Sequence, residues 1–290
     1  MRGIRHIMGA VLVSMVLAGC GGQAEDGSES DNPATSDPGA PGSADPVALI
    51  GSWLIEEAAQ EESGAVLRIA ATDISLWREC GTLSGAWRAD TGGLFVADVY
   101  AGAGCEITEE PTPGWLREAV GFRAAGDDRL LLDAQGDVVA RLLPGGKPEG
   151  GPDTLPEQAE PPVVDDEVRR AFAPTADLSS GLTPPPAREA LVGRWVPESG
   201  PAGSPEPVYV ELLADGSWRG SDGCNGLGGR WVTGAGGSLL ATSGVSTLVA
   251  CDNAPIGQWL SGAWQAGMEG TVLVLVDAQG KELGRVKPGQ

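Results

Sequence analysis

The chain has 290 residues, with 40 acidic and 19 basic side chains and a formal net charge of −21 at pH 7. So negative a chain repels phosphate groups, which argues against nucleic acids and anionic lipid headgroups as partners. The one histidine is His6, near the N-terminus, and without it the chain has no Ser-His-Asp triad, no Cys-His pair and no histidine metal site. We therefore expect a non-enzymatic protein that needs no cofactor.

Residues 1–20 are typical of an export signal. Arg2 and Arg5 precede an apolar run of about a dozen residues, which is too short for a membrane-spanning helix of about 20. The sequence Leu-Ala-Gly-Cys at 17–20 resembles the lipobox of bacterial lipoproteins, in which the cysteine is acylated and becomes the new N-terminus. We therefore expect Cys20 to carry a lipid that holds the protein at the bacterial cell membrane, on its extracytoplasmic side. The alternative is an ordinary signal peptide with an incidental cysteine.

The rest of the chain contains an internal duplication, with its two copies about 144 residues apart. Leu-Ile-Gly-Ser-Trp at 49–53 returns as Leu-Val-Gly-Arg-Trp at 191–195, and Leu-Leu-Asp-Ala-Gln-Gly at 131–136 returns as Leu-Val-Asp-Ala-Gln-Gly at 275–280. The corresponding residues between these segments include Cys80 and Cys224, Trp87 and Trp231, Cys105 and Cys251, and Trp115 and Trp259. The predicted divisions are a signal peptide at 1–20, a flexible tether at 21–46, a first module at 47–147, a proline-rich acidic linker at 148–186 and a second module at 187–290.

Each module has the pattern of short antiparallel strands and one helix. Alternating side chains at 208–213 lead to the turn signal Asp215-Gly216, and the segments 271–276 and 282–286 flank a turn at 277–280. A helical face is predicted from Ile256, Trp259, Leu260, Ala263 and Trp264, with Pro255 in its first turn. The first copy has Thr112 and Pro113 at the corresponding helix start. We expect an α+β fold, mainly antiparallel β, in which each of two tandem modules is a curved sheet or partial barrel with one helix.

The linker is predicted to contain little regular structure. Residues 163–172 have the composition of a short helix, and the rest is too rich in proline and acidic residues to support a structural assignment. We expect the linker to leave the two modules some freedom of relative motion.

The cysteines outside the signal segment divide into one pair per copy. Four cysteines permit three connectivities, and the duplication selects Cys80 with Cys105 and Cys224 with Cys251. An exported protein meets an oxidising compartment, in which such bridges persist. The alternative is a redox switch or a thiol metal site, which the absence of a Cys-x-x-Cys sequence disfavours.

The recurring tryptophans and aspartates have two interpretations each. Tryptophans at equivalent positions in both copies indicate core residues, although a duplicated sugar or lipid site would show the same recurrence. Trp218 and Trp264 lack a clear aromatic counterpart and are the better candidates for a contact surface. Asp133 and Asp277 precede turn glycines and could suggest calcium sites, but neither segment has the run of oxygen ligands that a calcium loop needs. Carboxylate pairs for glycoside cleavage cannot be judged from sequence.

The second module resembles a known family. Its sequence contains Gly223, Cys224 and Asn225, then Gly229 and Trp231, and later Thr247 and Cys251 before a helix and a terminal hairpin. This order of residues is similar to that of the META domain family, also called HslJ-like. The first module departs from it, with Glu79 and Gly81 in place of Gly223 and Asn225, and Ala101 in place of Thr247. The resemblance implies a compact β-rich domain of bacterial envelope lipoproteins, metal-free and without established catalytic residues.

Two functions are consistent with these observations. The first is a membrane-tethered, non-enzymatic envelope lipoprotein whose modules bind or help to assemble an envelope protein. The second is a carrier or sensor of a small apolar ligand held within a module, which requires an interior cavity.

Overall fold

The computed structural model describes residues 44–105, 111–148, 159–199, 204–247, 249 and 253–289. Within these ranges the protein is α+β and mainly antiparallel β, with two tandem eight-stranded sheets and three short α-helices. The fold class expected from the sequence is therefore confirmed. Cys20 and the predicted signal and tether, apart from the last residues of the tether, lie outside the described residues, as do Cys251 and part of the linker. No helix in the described residues is both long and apolar enough to cross a membrane.

The first sheet is an antiparallel meander whose last three strands return to pair with its first. Its strand order is β5-β4-β3-β2-β1-β8-β7-β6. The long strand β4 alternates buried and partly exposed residues, as a strand with one face in a core does. The bounds are β1 Gly51–Glu56, β2 Val66–Ile69, β3 Ile74–Arg78, β4 Gly81–Ala89, β5 Phe95–Ala103, β6 Gly121–Ala125, β7 Asp128–Leu132 and β8 Val138–Pro144.

The second sheet repeats this topology. Its strand order is β13-β12-β11-β10-β9-β16-β15-β14, which matches that of the first sheet strand for strand. The bounds are β9 Gly193–Pro197, β10 Tyr209–Leu212, β11 Ser217–Ser221, β12 Gly226–Thr233, β13 Leu239–Ala241, β14 Gln265–Glu269, β15 Val272–Val276 and β16 Glu282–Pro288.

Each sheet curves until its two end strands meet. In the first, Leu94 and Gly121 form an isolated antiparallel bridge, and the Phe95 amide donates to the Val120 carbonyl at 3.0 Å. In the second, Ser238 and Gln265 form the equivalent bridge, and the Leu239 amide donates to the Trp264 carbonyl. Both sheets are therefore partial barrels, because the two end strands pair with each other at only a few residues.

The helices are shorter than the sequence pattern predicts. Helix α1 spans Gly114–Glu118, α2 spans Asp166–Ala171 in the linker, and α3 spans Ile256–Gly262. Helix α3 ends before Ala263 and Trp264, so the predicted placement of these two residues on its face is wrong. Thr112 does not cap α1 either, because its hydroxyl instead donates to Asp98 Oδ1 at 2.7 Å and accepts from the Val99 amide.

Paired tryptophans fill the two cores in the same way. The indole nitrogens of Trp53 and Trp195 each donate to a leucine carbonyl four residues earlier, both at 2.8 Å. Trp87 and Trp231 likewise donate to carbonyls of the residues that directly follow β2 and β10. All four side chains are buried, which agrees with the core interpretation and satisfies the polar end of each indole.

Trp218 is a core residue, so the prediction that it forms a contact surface is wrong. Its side chain is 2% exposed, and its indole nitrogen donates to the Thr242 carbonyl at 2.9 Å. It faces Gly229 across the β11–β12 pair. A Cβ atom at Gly229 would lie 2.7 Å from that nitrogen. The glycine therefore makes room for a tryptophan where the first module has Ile74.

The turns at Asp133 and Asp277 are stabilised by their own aspartates. Asp133 Oδ1 accepts from the amides of Gln135 and Asp137, and Asp277 Oδ1 accepts from those of Gln279 and Lys281, all at 2.9 Å. The carboxylates thus serve turn geometry, as expected. No cluster of three or more potential metal ligands occurs among the residues whose positions are described.

The two modules pack through the same face of each sheet. Val96 and Leu240 occupy equivalent positions on β5 and β13, and both are buried in one cluster with Val232. Val120 and Trp264 are also equivalent and pack against it, with Leu94. A contact made by one patch on both partners is isologous, as in two-fold dimers. The modules therefore form a pseudo-two-fold pair.

Arg88 makes polar and cation–π contacts across this interface. Arg88 Nη1 donates to the carbonyls of Ser261 and Ala263, and its Cζ lies 4.5 Å from the centroid of the Trp264 ring. Burial lowers the pKa of Arg88 to about 10, and nearby Asp90 acts in the opposite direction. Trp264 thus packs between the two modules of the chain, whereas its predicted part in a contact surface for another molecule stays a prediction.

The described part of the linker contacts both modules. Phe172 stacks on Trp87 with ring centroids 5.4 Å apart. The Ala176 amide donates to the Ala278 carbonyl, and Thr183 forms a bridge with Met268. The short helix predicted at 163–172 is present as α2. In this structure the described linker residues and the buried interface join the two modules, an arrangement that opposes the expected freedom of relative motion.

Candidate functional site

The family-like residues of the second module lie on a tight loop between β11 and β12. Asp222 Oδ1 accepts from the amides of Cys224 at 2.9 Å and Asn225 at 2.7 Å. Gly223 has a φ of 102°, in the left-handed region that favours glycine. A short loop of this geometry turns the chain and points the Asn225 side chain inward, where it is 5% exposed.

Asn225 joins this loop to the segment that follows β13. Its Nδ2 donates to the Val249 carbonyl and to Asp222 Oδ2, both at 3.1 Å. Its Oδ1 accepts from the Thr247 hydroxyl at 2.8 Å and from the Val249 amide at 2.7 Å. The sequence analysis named Asn225 and Thr247, and the structure brings them into direct contact.

Asp222 is a negative charge held inside this cluster. Burial favours its neutral form, but hydrogen bonds from Asn225, from the Cys224 amide and from Asn253 outweigh burial, so the pKa of Asp222 lies below its ordinary value. Asn253 Nδ2 donates to Asp222 Oδ2 at 2.8 Å. Asp222 and Asn253 were not predicted as site residues. The adjacency of Asp222 to the Gly-Cys-Asn sequence was the available signal.

The cluster forms one wall of a cleft of about 420 Å³. The start of α3, including Gly257 and Gln258, also lines this cleft. Beside the cleft, Val245 is 68% exposed and Val249 is 57% exposed. The polar groups of the cluster already bond one another, and they hold the backbone of the exposed Val249 in place.

The other predicted motif residues have structural roles. Trp231 is a core residue, and Gly229 lies where a Cβ atom would come within 2.3 Å of the Thr242 carbonyl oxygen. Cys224 is disulfide-bonded, and its predicted pairing with Cys251 involves a residue outside the described ranges. In the first module the predicted Cys80–Cys105 disulfide is present, and Gly81 leaves that module without a counterpart of Asn225.

A second, larger cavity lies between the modules and was not predicted. This inter-module groove has a volume of about 1080 Å³. Its walls come from β5, α1 and the β7–β8 turn of the first module, and from the β10–β11 turn and β12 of the second. Its charged lining residues are Asp98, Arg117, Glu118, Asp133, Arg188, Asp215 and Arg230. The only indication of this groove in the sequence was that the two copies differ in charge at these positions. Arg230 corresponds to Ala86, and Asp98 corresponds to Thr242.

Burial perturbs two charged groups of the groove in opposite directions. Burial raises the pKa of Asp98, while the Thr112 hydroxyl and Arg230 act to lower it. Burial lowers the pKa of Arg230, opposed by Asp98 and Asp215 and reinforced by the nearby positive charges of Arg117 and Arg188. Perturbed groups in a cleft are candidates for a functional site.

Comparison with known proteins supports a family resemblance for the second module. The family model of the META domain matches residues 189–290. Searches of the curated proteins and of the solved structures found no match. The match covers the second sheet with α3, and the first sheet shares its strand order.

Proposed function

We propose that this chain is a membrane-tethered, non-enzymatic envelope lipoprotein whose two META-like modules act together as one protein-binding unit. The tether is proposed from the lipobox-like sequence ending at Cys20, and the HslJ-like character from the motif residues of the second module. Lipid chains contribute about 0.8 kcal/mol per buried methylene, so two or three of them hold such a protein at a membrane.

The observation that carries the proposal is the pair of exposed valines beside the Asn225 cluster. Large apolar side chains held in the open by a fixed backbone lose little conformational freedom on binding. Val249 is fixed through both its amide and its carbonyl by Asn225, and Val245 lies four residues before it. This surface suits a partner protein of the envelope with an apolar patch of its own.

The protein-binding role is preferred over the carrier of a small apolar ligand. A carrier within a module needs interior space, whereas Trp87, Phe95 and Trp115 fill the first sheet, and Trp195, Trp218 and Trp231 fill the second. The two cavities considered above open at the surface and are lined by polar as well as apolar groups.

Site-specific photo-crosslinking in the native host tests the proposal. A photoreactive amino acid replaces Val245, or Val163 as the control, which is 80% exposed but lies in the linker. We expect one discrete crosslinked partner from position 245 and none of that size from position 163. Loss of the same product in a Cys20→Ser variant would support the tether. Absence of any specific product at 245, with normal abundance of the protein, would refute the role.

A further inference from the structure

Two guanidinium groups of the second module converge above one glycine in the inter-module groove. A Cβ atom on Gly216 would lie 3.2 Å from Arg230 Nη2 and 3.4 Å from Arg188 Nη2. Gly216 occupies the β10–β11 turn with a φ of 84°, and its missing side chain leaves the space into which both groups reach. Two like charges thus approach a common point on the groove wall.

Neutral partners hold both groups in place. Arg188 Nη1 donates to the Ala214 carbonyl at 2.8 Å, and its Cζ lies 4.5 Å from the centroid of the Trp231 ring. Arg230 Nη2 donates to the Arg117 carbonyl at 2.7 Å. Each guanidinium has five N–H donors, so these bonds leave others available. Across the described ranges, neither group has a carboxylate oxygen within 4.0 Å.

The neighbouring carboxylates have other partners or lie farther away. Asp215 Oδ1 accepts from the amide and the hydroxyl of Ser217, and Asp98 Oδ1 accepts from Thr112. Glu118 and Asp133 belong to the part of the groove lining that the first module supplies. These carboxylates repel a ligand that is negative along its whole length, whereas a single anionic group can reach the two arginines.

The first module has no counterpart of this arginine pair. Arg230 corresponds to Ala86, and Arg188 corresponds to Pro46, since Leu191 and Leu49 are equivalent. The first sheet has the same strand order without either arginine. The fold shared by the two modules therefore does not require this concentration of positive charge.

From this geometry we propose that Arg188 and Arg230 form a binding site for the oxyanion group, phosphate or carboxylate, of a small and otherwise uncharged ligand. Planar guanidinium groups bind such oxyanions with paired, charge-assisted hydrogen bonds. The groove of about 1080 Å³ accommodates the remainder of a small molecule. Since the chain carries a net charge of −21, an extended polyanion is disfavoured. The site does not depend on the protein-binding role proposed above.

The test is a titration followed by NMR of the arginine Nε–Hε groups in the full mature chain with Cys20→Ser. The probes are inorganic phosphate and acetate, each at constant ionic strength, with chloride as the reference anion. We expect saturable shifts for Arg188 and Arg230 with phosphate, acetate or both. Which probe saturates identifies the phosphate or the carboxylate as the preferred group.

Matched variants locate the site. Arg188→Gln and Arg230→Gln should each weaken binding by about tenfold or more, because each removes a charge-assisted partner. Arg219→Gln is the control, since Arg219 is exposed and paired with Glu211 on the same module. If Arg230→Gln fails to fold, Arg188→Gln decides alone. The proposal is refuted if neither anion gives a saturable shift up to roughly 20 mM, or if the affinity is the same in folded Arg188→Gln.

Discussion

Asn225 shows how a single side chain organises the surface of the second module. Its amide group bonds a carboxylate, a hydroxyl and both backbone groups of Val249. A buried amide with all its hydrogen bonds made has essentially one orientation, because any rotation leaves polar atoms unsatisfied. Val249 is therefore held in one backbone position by Asn225, although it lies outside regular secondary structure.

Asp222 makes this loop sensitive to acid. Because hydrogen bonds hold its pKa below the ordinary value, its contribution to stability is complete above a pH of about 4 and is lost as the pH falls through the lowered pKa. We expect Asp222→Asn to lower the free energy of unfolding by about 1–3 kcal/mol at neutral pH. The difference from the parent chain should shrink toward a pH of about 2.

Urea unfolding at both pH values measures this difference. Thr247→Val is the control, since it removes a hydrogen bond to Asn225 without changing a titrating group, and its cost should be similar at both pH values. A cost of Asp222→Asn that stayed constant or grew with acidity would contradict the assignment.

At the scale of elements, a buried ion pair attaches helix α1 to the first sheet. Glu61, in the loop between β1 and β2, bonds Arg78 of β3 through both its oxygens, at 2.6 Å and 2.8 Å. Its Oε2 also accepts from the indole nitrogen of Trp115 in α1 at 2.8 Å. The Glu61 side chain is 3% exposed, so three elements depend on one carboxylate.

Removal of that carboxylate should be costly. Glu61→Ala leaves the Arg78 charge and the Trp115 indole without their partner, for an expected loss of about 3–5 kcal/mol. Glu57→Ala is the comparison, because Glu57 is 57% exposed in its ion pair with Arg141 and should cost less than about 1 kcal/mol. Chemical denaturation monitored by tryptophan fluorescence measures both. Equal costs would show that the Glu61 contacts are not a major source of stability.

Much of the element pattern was predictable, and the exceptions have physical reasons. The duplicated turn aspartates and paired tryptophans identified the hairpins and cores. Trp218 was misassigned because its burial depends on Gly229 across the sheet, a contact that sequence spacing does not reveal. The helix was predicted too long because Ala263 and Trp264 continue its apolar spacing while belonging to the seam and the module interface.

At the scale of the whole molecule, the paired modules were the main feature that the sequence analysis missed. Phe95, Val96 and Ala97 are consecutive buried residues on β5, and Leu239 and Leu240 are consecutive on β13. A strand with one face in its own core should alternate. Consecutive burial indicates that the outer face is covered as well. The duplication pointed to two similar modules, but nothing in it showed that they pair through the same face.

This pairing bears on both surfaces on which the functional proposals rest. It holds the modules in one arrangement, so that the valines beside Asn225 have a fixed position relative to the first module. It also forms the inter-module groove, since Asp98 and Arg117 come from one module and Arg188 and Arg230 from the other. The groove would be lost if the linker left the modules free to move, whereas the valines belong to the second module alone.

Small-angle X-ray scattering of residues 21–290 tests the pairing directly. The account predicts scattering that a single arrangement of the two modules fits. It also predicts a larger radius of gyration for Arg88→Ala, which removes the contacts to Ser261, Ala263 and Trp264. If the parent chain instead requires an ensemble of separated modules, the paired arrangement and the groove that depends on it are contradicted.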